Sequence, residues 1–62
     1  VDDEHIIELV NERAAIMQYD GGMTPDAAFK TAFFEIKRTH KIARMPEILC
    51  EEIQAVMERL LK

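Results

Sequence analysis

The only glycines of this chain, Gly21 and Gly22, and its only prolines, Pro25 and Pro46, fall between stretches of helical periodicity rather than inside them. Glycine and proline are the residues a helix interior tolerates least, so their positions fix where helices can run. Gly21-Gly22 can supply the left-handed residue that closes one helix. Thr24-Pro25-Asp26 then opens another: threonine caps, proline suits the first helical position, and aspartate faces the positive end of the dipole. Pro46 with Glu47 marks a third start, although Met45 is a poor cap. The spacing predicts an all-α fold, a three-helix bundle with helices over about 3–19, 25–41 and 46–61. No strand-like alternation competes with it.

Each predicted helix carries an apolar stripe. At ~100° per residue, Ile6, Leu9, Val10, Ala14, Ile16 and Met17 share one side of the first helix, with Glu4, Glu8, Asn11 and Glu12 opposite. Ala28, Phe29, Ala32, Phe33 and Ile36 form the stripe of the second, extended by His40. Leu49, Ile53, Val56 and Leu60 repeat at spacings of four, three and four in the third, flanked by Cys50, Met57 and Leu61. Such a seam suits a bundle core or a contact between subunits.

Two residues break this order. Arg13 projects into the first stripe, where its stem can pack while its head reaches an acid on another helix, with Glu35, Glu51 and Glu52 as candidates. A structural ion pair is the expected role. Phe34 lies off its helix's stripe, on a second face with Ala27, Thr31 and Arg38. A small chain has little apolar surface to spare, so Phe34 is the leading candidate for a partner contact.

Sixty-two residues form one domain at most, read here as residues 1–62. A chain this short buries only about 60% of its unfolded surface, so self-association or docking on a larger body is a natural source of added stability. The start at Val1 rather than Met is what an excised piece of a longer protein would show. A composition of 48% hydrophobic and 32% charged residues is that of a folded domain. No apolar run approaches the roughly 18 residues a membrane span needs, and no signal-peptide pattern is present. The single cysteine fits a reducing compartment, so a cytoplasmic location is expected.

Charge is unevenly distributed. The net charge is −4, yet residues 30–44 carry Lys30, Lys37, Arg38, Lys41 and Arg44 against Glu35 alone, a local +4 that leaves −8 on the remainder. Lys30, Lys37 and Lys41 share one side of the second helix, with Arg38 and Arg44 nearby. They are candidates for a nucleic-acid contact, or for complementing the helix dipole and pairing with the acids of the other helices. A helix-turn-helix arrangement is disfavoured, because the third helix would present Glu47, Glu51, Glu52 and Glu58 to phosphates.

Catalytic chemistry finds little support. Cys50 and His40 could approach across a turn, but a Cys–His nucleophile also needs an orienting group and an oxyanion site. Cys50 reads better as a small residue at the core edge and His40 as a partly buried helix-end histidine. His5 and Glu8 are one turn apart, but the neighbouring acids face solvent, so no metal is expected. No phosphate loop follows the glycines. Neither a cofactor nor a small-molecule substrate is implied.

The segment Glu12-Arg13-Ala14-Ala15-Ile16-Met17-Gln18-Tyr19-Asp20-Gly21-Gly22-Met23-Thr24-Pro25-Asp26-Ala27-Ala28, about a quarter of the chain, resembles a short helix–Asp-Gly-Gly–helix module of phage and plasmid proteins. In those proteins the module often lies near primase- or helicase-like replication domains. The resemblance implies an accessory role in a mobile element and assigns no catalytic residue; no primase, helicase or zinc-finger motif accompanies it. The functional expectation is a non-enzymatic interaction module that binds a protein partner, or a second copy as a homodimer. Its expected contacts are Phe34, Ala27, Arg38 and the seam Leu49, Ile53, Val56 and Leu60. A nucleic-acid accessory protein using Lys30, Lys37, Lys41 and Arg44 is the alternative.

Overall fold

A computed structural model describes residues 2–62; Val1, on which the reading as an excised piece rests, lies outside the described residues. Three helices follow in order, α1 (Asp3–Tyr19), α2 (Pro25–Thr39) and α3 (Glu47–Leu60), with no strand among the described residues. Helix α2 is central: α1 and α3 both pack against it and barely approach one another. This three-helix, all-α arrangement is the one expected from the periodicity.

Local chemistry accounts for most boundaries. The Asp2 carboxylate accepts a hydrogen bond from the His5 backbone N–H at 2.9 Å and caps α1. The Thr24 hydroxyl oxygen accepts one from the Ala27 N–H at 3.3 Å and caps α2, with Pro25 in the first turn. At the end of α1 the two glycines act differently. Gly22 takes a left-handed φ of 66°. A Cβ on Gly21 would stand 2.8 Å from the Met17 carbonyl oxygen, a contact only glycine avoids.

Helix α2 stops two residues before the expected Lys41. Lys41 has φ 52°, and the chain closes with Ile42 N–H donating to Lys37 C=O at 3.0 Å and Lys41 N–H to Arg38 C=O at 3.2 Å. This is the Schellman geometry, with lysine at the position that normally takes glycine. Ile42 packs on the core beneath it. His40, expected partly buried, caps the helix and is exposed, because the chain turns away after Thr39. A left-handed lysine is held against a backbone cost of about 1–2 kcal/mol. Lys41→Gly is therefore expected to stabilise the fold by about 0.5–1 kcal/mol after the greater freedom of the unfolded glycine is subtracted, a rise of a few degrees in Tm by circular dichroism.

Helix α3 begins at Glu47, with Pro46 itself at the cap position and no side chain capping it. Pro46 and Met45 are both buried, so packing holds this entry where capping does not.

The core joins all three helices. Ile6 and Val10 come from α1, Ala28, Ala32, Phe33 and Ile36 from α2, and Leu49, Ile53 and Val56 from α3, with Met45 from the connecting turn. Leu9, Ala14 and Met17 pack at its edge, whereas Ile16, expected in the stripe, is 48% exposed. The expected contact seam of α3 is thus used within the chain: Leu49, Ile53 and Val56 face inward and cannot meet a partner while the domain is folded. Leu60, in the last turn where nothing packs over it, remains 43% exposed. The physical reason is scarcity, since a short chain needs every aligned apolar stripe for its own core.

Candidate interaction face on the central helix

With α1 and α3 packed on one side of α2, its other side is left to solvent. Phe34 stands there, 44% exposed, its ring edge-on to the buried Phe33 at a centroid distance of 5.2 Å and an angle of 83°. Lys30 lies one turn before Phe34, Lys37 and Arg38 lie one turn after it, and Lys41 lies two turns after it; all four are exposed. None forms an ion pair among the described residues, where the two salt bridges are Arg13–Glu35 and Arg59–Asp26. The expected neutralisation of these cations by the acidic helices is absent.

Two grooves adjoin Phe34. One of about 470 Å³ lies toward the C-terminal end of α2 and is lined by Phe34, Lys37, Arg38, Lys41, Ile42 and Ala43. The other, about 290 Å³, lies toward the N-terminal end and is lined by Lys30, Thr31, Phe34, Glu35 and Arg38. The structure therefore unites two sets of residues that the sequence suggested separately, the Phe34–Arg38 pair and the lysines. Two expected members lie elsewhere. Ala27 is half-buried and lines neither groove. Arg44, beyond the turn, lines a different depression of about 460 Å³ with Asp3, Met45, Pro46, Glu47 and Cys50. That depression is as large, but its charges are mixed, whereas the Phe34 grooves offer cations and one acid already engaged.

That acid is Glu35, whose Oε1 lies 3.0 Å from Arg13 Nε. The Nε–H makes no hydrogen bond despite the distance, so the contact is coulombic. With both side chains partly exposed it contributes at most about 1 kcal/mol. Its local effect is to occupy Glu35 and leave the α2 cations without a neighbouring acid.

Sequence reasoning missed the better-formed pair. Arg59 donates from Nε and Nη2 to the two carboxylate oxygens of Asp26, both at 2.9 Å, tying the end of α3 to the start of α2. Residues 33 apart in sequence give no local signal for such a fork. Hydrogen bonds from Arg59 hold the Asp26 carboxyl below its ordinary value of 3.8, with the arginine's charge adding to the effect and burial opposing it. A lowered folded pKa means the pair's contribution is complete above 3.8 and is lost as pH falls through the lowered value. The Tm difference between wild type and Asp26→Asn is accordingly expected to be constant above about pH 5 and to close as the solution becomes more acid.

Cys50 is exposed, not at the core edge as expected; its Sγ lies 3.7 Å from the Met45 carbonyl oxygen. His40 is not among the residues around the depression that contains Cys50. No cluster of three or more His, Cys, Asp or Glu side chains able to hold a metal occurs among the described residues. Among the described residues, no helix is long and apolar enough to cross a membrane.

Comparison with family models, with curated proteins and with solved structures returns no match for this chain.

Proposed function

We propose that this chain is a non-catalytic helical interaction module that binds a protein partner through the outer face of α2. One observation carries the reading: an aromatic ring, 44% exposed, stands among four cations that form no ion pair among the described residues. An aromatic anchor ringed by charge has the composition of a binding hot spot, where the ring supplies buried area and the charges supply orientation and specificity. The fold does not need this ring exposed, since Phe33 beside it already fills the core.

The face is poorly suited to a two-fold homodimer. A two-fold contact centred on Phe34 would set Lys30, Lys37, Arg38 and Lys41 against their own copies, a like-charge cost with no acid to relieve it. A different partner fits better. Exposed Cys50, with no disulfide partner, supports a cytoplasmic setting. The resemblance of residues 12–28 to a phage and plasmid module supports an accessory role in a mobile element.

A second reading draws on the same unpaired cations. A single-stranded nucleic acid could stack a base on Phe34 and set phosphates on the lysines. Against it stands the net charge of −4. Gel retardation at low salt separates the two. Under the protein-partner reading no oligonucleotide is shifted, and a partner held by the wild type is released by Phe34→Ser but kept by Gln54→Ser on the exposed side of α3. Retention of the partner by Phe34→Ser overturns the reading.

A further inference from the structure

We infer that the occupant of the α2 face is an acidic amphipathic helix, which seats bulky apolar side chains in the two grooves beside Phe34 and sets carboxylates against Lys30, Lys37, Arg38 and Lys41. The inference rests on the reading of this face as a protein-binding surface and specifies the partner's chemistry. The grooves lie one toward each end of α2 with the Phe34 ring between them, and Arg38 lines both. Both are open depressions, of about 470 and 290 Å³, with Phe34 and Arg38 in the wall of each. A ridge with a groove on either side is the surface that another helix packs on, with side chains three or four residues apart entering the two grooves.

Charge then selects among helices. The four exposed cations form no ion pair among the described residues, and Glu35 is already beside Arg13. A basic or neutral helix would leave all four unpaired at a partly dehydrated interface, and an acidic one would not. Lys41 occupies a backbone position, φ 52°, that favours glycine, and its side chain makes no ion pair among the described residues, so its charge is available to a partner. The short length of the face favours a peptide over a nucleic acid. The 15 residues of α2 span roughly 22 Å at 1.5 Å each, about four turns of a docked helix.

The test uses the whole chain and three synthetic 16-residue helical peptides with leucines along one stripe and glutamates, glutamines or lysines beside it. A mixed-sequence 16-nucleotide single strand is the fourth probe. Binding is read by fluorescence anisotropy, and its location by shifts of the Phe34 ring protons. The glutamate peptide is expected to bind at least tenfold more tightly than the glutamine peptide at low salt, with the gap narrowing as salt rises. Phe34→Ser should weaken it tenfold or more. Lys41→Gly should weaken it several-fold while raising Tm, a combination that a purely structural lysine would not produce. Equal binding of the glutamate and glutamine peptides, both still dependent on Phe34, overturns the acidic partner and leaves the docking face standing. Phe34-dependent binding of the oligonucleotide alone overturns both. Binding by none of the probes, or self-association of the chain that masks the Phe34 ring, overturns the inference.

Discussion

Phe33→Ala is expected to destabilise the domain by about 3–5 kcal/mol, while Phe34→Ala, one residue along the same helix, costs no more than about 1.5 kcal/mol. Phe33 is 4% exposed and packs with residues of all three helices in one cluster. Truncating a buried phenylalanine costs about 3–5 kcal/mol, through lost transfer energy and the cavity left behind. A domain of this size has only about 3–9 kcal/mol in total, so the loss takes from about a third to all of its stability. Phe34 is 44% exposed and contributes to the fold chiefly through its edge-on contact with Phe33, worth about 0.5–1.5 kcal/mol. Urea unfolding followed by circular dichroism measures both. Equal destabilisation by the two substitutions would mean that Phe34 serves the core, and would remove the argument for its role in binding.

Ala32→Leu is the second large effect, expected to cost about 1–3 kcal/mol although leucine is nearly as good a helix former as alanine. Ala28 and Ala32, one turn apart on α2, are both wholly buried. Their small size is what lets the neighbouring elements close on the central helix. Extra methylene groups there must push a helix away or force strained rotamers. The exposed Ala55 on α3 is the control, where the same change should stay within about 0.5 kcal/mol. A lowered urea midpoint at constant slope for Ala32→Leu, with none for Ala55→Leu, is the expected pattern. If the two variants unfold alike, the tight approach on α2 is not what limits residue size there.

Much of this architecture was legible in the sequence because it follows from local rules. Gly22 takes the left-handed turn, Thr24 caps and Pro25 opens α2, and the apolar stripes point where their periods place them except at Ile16, His40 and Leu60, since each depends on residues within a turn or two. The stop of α2 before Lys41 was not legible, because lysine carries no left-handed signal; burial of Ile42 below it enforces the turn. The burial of Met45 and Pro46 escaped notice for a related reason, as an unpaired turn shows no period.

The functional face divides the same way. The sequence by itself determined that Phe34 lies off the core stripe, that cations concentrate between residues 30 and 44, and that Arg13 needs an acid. Tertiary structure decided the rest. It placed α2 in the middle, which leaves one side of that helix bare, and it used Leu49, Ile53 and Val56 for the core rather than for a partner. It also chose Glu35 for Arg13, joined Asp26 to Arg59, and moved Arg44 away from the lysines. A helical period states which residues share a face. Which faces meet depends on how three helices divide a limited apolar surface, and that is settled only when they pack.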